Sequence, residues 1–225
     1  MKTLTEVLQK QTNIKVIAPE VTYQDYVALD LSAPTTDLLN LPLTDAQAFE
    51  DFVENHLDKS NAKVAFGGYL EQRNLYQRST VFKAVNVEER NIHIGLDLWI
   101  KAGTPVLAAL DGVVHSFQNN TALGDYGPTI ILEHHIEGET FYTLYGHLNL
   151  ESLDGKTVGQ KVSKGSIIAR LGAAPTNGDY APHLHFQIIK DLQGKRGDYP
   201  DVCSKNELEF YKTNCPDPNL LLKIT

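Results

Sequence analysis

Pro182-His183-Leu184-His185-Phe186-Gln187-Ile188-Ile189 has the make-up of a β-strand: apolar and aromatic residues, with a proline only at the first position, where it is tolerated. Successive strand side chains point to opposite faces, so His183 and His185 share one face with Cα atoms ~6.6 Å apart. One ring can then bind a metal while the other reaches a water on that metal. Upstream, His93-Ile94-Gly95-Leu96-Asp97 offers two more donors. A His, an Asp and one His of the downstream pair make three protein ligands, the number a catalytic zinc keeps, with water in the fourth place. The other His of the pair, together with His147 in Leu144-Tyr-Gly-His-Leu148, would supply proton transfer beside that water.

His93 and Asp97 pose a geometric problem. On a straight strand they face the same side but lie ~13 Å apart. Two ligands of one zinc need donor atoms within roughly 3–3.5 Å of each other, given bonds of about 2 Å in tetrahedral geometry. Ile92, Ile94 and Gly95 make a poor helix, so a bend at Gly95 is expected, with His93 in the loop before the strand and Asp97 on it. The run Phe141–Leu148 also alternates. Read as one strand, it puts Thr143, Tyr145 and His147 on one face, where Tyr145 would reach a substrate by a hydrogen bond. Of the remaining histidines, His56 falls on a helix, His134 and His135 adjoin a polar turn, and His115 reads as a buried strand residue.

Further out, residues 3–10 read as a short helix, and Ile14–Ile17 and Tyr26–Leu31 as strands before the turn Ser32-Ala-Pro34. Thr44-Asp-Ala-Gln47 resembles a capping box opening an amphipathic helix with Phe49, Phe52, Val53 and Leu57 on one face. From about residue 63 the pattern becomes β, with candidate strands at Lys63–Phe66, Gly95–Ile100, Pro105–Ala109, Gly112–Phe117, Thr129–His134, Phe141–Leu148, Ile167–Leu171 and Leu184–Ile189. No long helical period interrupts them, which predicts antiparallel sheet rather than βαβ units. Lys101-Ala-Gly-Thr-Pro-Val106 and Ser163-Lys-Gly-Ser-Ile-Ile168 echo each other as glycine turns before apolar strands. The fold class expected is mostly β with an α/β N-terminal extension. The divisions are residues 1–62 for the extension, 63–192 for the β domain and 193–225 for a tail that returns Leu220–Leu222 to the core.

At 225 residues the chain can bury a sizeable core without staples. The net charge of −8 argues against a nucleic-acid surface. No apolar run is long enough to span a membrane, and the N-terminus has no signal-peptide core, so a cytoplasmic protein is expected. Cys203 and Cys215 match no zinc-knuckle spacing and read as two free thiols; a disulfide between them is the alternative in an oxidising compartment. Oligomeric state is not legible.

The ordered set also resembles a known family. Arg90-Asn-Ile-His-Ile-Gly-Leu-Asp97, Gly103-Thr-Pro-Val-Leu-Ala108 with Asp111-Gly-Val-Val114, Leu144-Tyr-Gly-His-Leu148, Gly159-Gln-Lys-Val-Ser-Lys-Gly165 and Pro182-His-Leu-His-Phe186 are similar to the lysostaphin-type zinc metallopeptidases, over roughly residues 88–190. The resemblance implies an antiparallel β-sheet groove and one zinc per chain, held by His93, Asp97 and His185, with His183 and His147 as the catalytic pair. All five positions are filled. The missing signal peptide and the acidic charge look more like an intracellular branch of the family, as do Gly67-Gly-Tyr-Leu-Glu-Gln-Arg73 and the Asn214–Asn219 tail. The implied substrate is a small peptide or a peptidoglycan-derived fragment cleaved at an amide bond. The alternative is a non-catalytic module that binds peptide in the same groove and regulates a partner. Arg73, in the polar segment Glu71-Gln-Arg-Asn74, is a candidate to hold a substrate carboxylate, because a guanidinium can grip one with two parallel bonds; the alternative is a surface arginine paired with one of the many acidic residues.

Overall fold

The computed structural model describes residues 2–32, 45–73 and 89–225. In chain order, the strands are β1 (Tyr26–Ala28), β2 (Val64–Gly67), β3 (Arg90–His93), β4 (Leu96–Trp99), β5 (Pro105–Leu107), β6 (Gly112–Asn120), β7 (Gly127–Ile136), β8 (Glu139–Gly146), β9 (Lys161–Val162), β10 (Ile167–Arg170), β11 (His183–Ile189) and β12 (Val202–Ser204). The α-helices are α1 (Leu4–Lys10), α2 (Ala46–Ser60), α3 (Leu208–Asn214) and α4 (Asn219–Leu222). The chain is mostly β. Its main sheet has eight strands in the order β1-β2-β4-β11-β8-β7-β6-β9, antiparallel except for the β1–β2 edge.

β11 lies inside that sheet, between β4 and β8, and is buried on both faces. Leu184, Phe186 and Ile188 enter the main core together with Leu96 and Leu98 of β4. His183, His185 and Gln187 take the opposite face. The core face is covered by both ends of the chain. Leu4, Val7 and Leu8 of α1, Ile14, Val16 and Ile17, and Leu221 and Leu222 of α4 belong to the same cluster as Phe186. The N-terminal region is thus built into the sheet: β1 is its edge strand, and α1 is capped by a Thr3–Glu6 box. Tyr26–Leu31 yields the strand β1, whereas Ile14–Ile17 forms only a bridge between Ile17 and Val106.

The two echoing glycine turns precede strands that pair with each other, β5 and β10. Gly103 and Gly165 adopt φ of 77° and 75°, values a side chain disfavours, which is why both turns carry glycine. α2 starts at Ala46 with Asp45 as N-cap, its side chain accepting from Gln47 N and Ala48 N; the Thr44 and Pro34 positions lie outside the described residues. Asn61 ends α2 in the left-handed conformation. Strands β3, β9 and β12 and helix α3 were not expected from the sequence. They are two to seven residues long, too short to show a period. No helix among the described residues is long and apolar enough to cross a membrane.

Candidate metal centre

The β4–β11 register sets Asp97 directly opposite His185, so both project from the same face of the sheet. His93 is the last residue of β3, and Ile94-Gly95 turns the chain into β4. The expected bend exists, although His93 sits on a strand rather than in a loop. Gly95 is there for room: a Cβ would lie 2.4 Å from His185 Cε1 and 2.5 Å from its Nε2. A methyl group would push the ring out of the site.

Three donor atoms converge. His93 Nε2 is 3.0 Å from His185 Nδ1, His185 Nδ1 is 3.1 Å from Asp97 Oδ1, and His93 Nε2 is 3.4 Å from Asp97 Oδ1. Each ring's other nitrogen faces an acceptor. His93 Nδ1–H donates to Gly68 O at 2.9 Å, and His185 Nε2–H donates to Gln187 Oε1 at 2.9 Å. The Gln187 amide is oriented by its own donation to Pro200 O and Cys215 Sγ, both at 3.2 Å. A neutral imidazole carries one proton, so the two nitrogens facing each other are both lone pairs. Two lone pairs and a carboxylate oxygen at these distances repel one another unless a cation lies between them. The spacing matches the roughly 3.3 Å edge of a tetrahedron with about 2 Å bonds. His93, Asp97 and His185 therefore form a buried metal site, with exposures of 1%, 2% and 2%.

The electrostatics keep the ligands in their binding forms. Burial, aided by the Arg73 charge, lowers the His93 pKa to about 4, which leaves the ring neutral. Burial alone would raise the Asp97 carboxyl. The Arg73 guanidinium, which donates to Oδ2, opposes that, and the group lies well below its usual range.

His147 and His183 stand beside the triad with ring centroids 4.2 Å apart. His183 Nε2 is 3.9 Å from Asp97 Oδ1, and its ring stacks on Trp99. In both residues Nδ1–H donates to a backbone carbonyl at 2.8 Å: Asn177 O for His147 and Ala181 O for His183. Each Nε2 is left as an acceptor. Burial lowers both pKa values, that of His147 far below its ordinary level with help from His183 and His185. His147 follows the end of β8 at φ 62°, a left-handed residue that turns its ring over the site.

That turn corrects the placement of Tyr145. In the β8–β11 ladder Tyr145 lies opposite Phe186, and Gly146 lies opposite His185. Opposed residues of an antiparallel pair share a face, so Tyr145 belongs to the main core. Its hydroxyl accepts from Ala109 N at 2.9 Å and lies 3.2 Å from Thr143 Oγ1. Alternation had carried His147 and Tyr145 to one side because it assumed an unbroken strand through Gly146. Tyr145→Phe is expected to leave substrate KM unchanged. Stability should fall by about 1–3 kcal/mol in urea unfolding, the cost of an unsatisfied buried N–H. His134, which adjoins the polar turn in sequence, is fully buried on β7, bonded to Asp111 O and to Thr143 Oγ1.

The cavity over the triad measures ≈ 40 Å³ and is walled by Leu31, Phe49, Trp99, Tyr180 and Ala181. It has room for a few waters. Leu31 and Phe49 come from the N-terminal region and pack with Trp99 in a small cluster of their own. Arg73 faces this cavity, but its guanidinium meets Asp97 and Glu71 rather than open space. Gln187 went unrecognised in the sequence, although its place two residues past His185 put it on the metal face. Cys203 and Cys215 are free and buried, and burial pushes their thiols up to about 11 and about 12.

Residues 91–198 match the model of Peptidase family M23. A protein of Haemophilus influenzae described as "Uncharacterized metalloprotease" is 35% identical over 96 residues, which are 43% of this chain and 18% of that protein. "Peptidoglycan DD-endopeptidase ShyC" of Vibrio cholerae is 35% identical over 97 residues, 43% of this chain and 20% of that protein. The chain thus spans about a fifth of the length of these curated relatives. The catalytic domain of lysostaphin from Staphylococcus simulans is similar at 24% identity and a TM-score of 0.40, over 68% of this chain and 94% of that one.

Proposed function

We propose that this chain is a lysostaphin-type M23 peptidase, a zinc-dependent hydrolase of an amide bond in a peptidoglycan-type peptide, a reading supported by the match of residues 91–198 to that family's model and by the three converging donors. The observation that carries the reading is the meeting of three unprotonated donors, with two further imidazole acceptors beside them. Bound by His93, Asp97 and His185, zinc supplies Lewis acidity, lowering the pKa of water toward 7 and polarising a carbonyl.

The chain's own groups do the rest. Gly68 O and Gln187 Oε1 fix the tautomers of the two ligand rings. His183 and His147, neutral and with Nε2 turned inward, are the groups able to take the proton of an attacking water and return one to the leaving amine. Trp99, Phe49 and Leu31 keep bulk water out, which strengthens each of these interactions.

The test is hydrolysis of cross-linked stem peptides, followed by mass spectrometry. Cleavage is expected to stop on chelation and to return with added zinc. A protein that binds zinc and peptide without cleaving would instead be a binding module built on the same groove.

A further inference from the structure

Arg73 lies outside residues 91–198, yet it is built into the metal centre. Its side chain is 3% exposed. Nη1 donates to Asp97 Oδ2 at 2.5 Å, and Nε donates to Glu71 Oε2 at 2.5 Å. The guanidinium carbon lies 5.7 Å from the Trp99 ring centroid, so the ring forms one wall of its slot. Gly68 forms another: with φ at 105° it presents no side chain, and a Cβ there would come within 1.8 Å of Nη2.

The segment that carries Arg73 is fastened to β3. Leu70 N donates to His93 O at 2.8 Å, His93 N to Glu71 O at 2.9 Å, and Arg73 N to Asn91 O at 2.8 Å. Residues 68–73 therefore hold two of the three metal donors, His93 through Gly68 O and Asp97 through the Arg73 fork. Glu71 Oε1 ties the same segment to Leu31 N at 2.8 Å, next to the cavity wall.

We propose that Arg73 is a positioning residue for the metal, acting through Asp97 rather than on substrate. By holding Oδ2, it leaves Oδ1 as the single oxygen turned to His93 and His185. A carboxylate without that anchor could rotate, or offer both oxygens at once. Glu71 balances the guanidinium, so a positive charge beside a dication is not left uncompensated. A substrate carboxylate would have to compete with two carboxylates already bound. The inference rests on the zinc reading above.

The test is a competition titration of zinc against a chromophoric chelator, with the visible spectrum of the cobalt-substituted protein recorded alongside. Arg73→Met is expected to raise the zinc Kd about 10–100-fold, the usual size of an effect on a ligand's supporting partner, and to alter the cobalt spectrum. Arg73→Lys should recover part of the affinity, because an ammonium keeps the charge but cannot bridge both carboxylates as a fork. With zinc saturating, KM should stay the same for free-acid and amidated substrates alike. The Glu71→Gln/Arg73→Met double variant removes both buried charges together and gives the same readout should the single variant fail to fold. Wild-type zinc affinity in these variants, with KM raised only for free-acid substrates, would make Arg73 a substrate contact and overturn the inference. A wild-type protein that takes up no zinc would instead sink the metal reading itself.

Discussion

Asp97→Asn is expected to yield a folded protein that holds little zinc and hydrolyses its substrate at least about 10³-fold more slowly. The size follows from the several kcal/mol of charge stabilisation a catalytic metal supplies, at 1.36 kcal/mol per factor of ten. Asparagine is chosen because both oxygens of Asp97 are engaged. Oδ1 faces His93 and His185, and Oδ2 accepts from Arg73. An alanine would leave the Arg73 guanidinium buried without its Asp97 partner, a loss that costs about 3–5 kcal/mol for a buried pair. The resulting unfolding would be indistinguishable from loss of metal. The amide keeps the shape and removes the charge. Metal analysis of the purified variant, with circular dichroism to confirm folding, is the measurement. Full zinc occupancy would remove Asp97 from the ligand set.

His183→Ala and His147→Asn are expected to retain zinc and lose hydrolysis by about 10²–10⁴-fold, the range of a general acid–base contribution. Neither ring is a member of the converging triad, and both present an Nε2 acceptor beside it. The substitution at 147 is asparagine because the residue sits at φ 62°, where Asn is tolerated and Ala is strained. The informative result is the separation of metal content from rate. A variant with wild-type turnover would show its histidine to be structural. A variant that loses zinc as well as activity would place that histidine among the ligands.

Much of this arrangement was open to reading because it follows from alternation. The run 183–189 is a strand, so His183, His185 and Gln187 had to face one way and Leu184, Phe186 and Ile188 the other. Most of the longer strands were legible for the same reason, their ends shifted by one to three residues. Tyr145 failed on the same logic, since alternation holds only while the strand lasts, and β8 ends at Gly146. The supporting segment 67–73 carries too few apolar residues in sequence to announce itself as paired to β3.

By itself the sequence determined the identity of the five polar groups, the faces of β11 and the mostly antiparallel character of the chain, since residue type and local period govern these. Tertiary structure alone decided which nitrogen of each imidazole points inward. Gly68, Asn177 and Ala181 set three of the four tautomers through backbone carbonyls. Every residue has such a carbonyl, so no residue type marks its position; Gly68 and Asn177 are brought to their rings from far along the chain, whereas Ala181 O lies two residues before His183. Arg73 likewise meets Asp97, distant along the chain, because β2 pairs with β4 and the segment after β2 is fastened to β3.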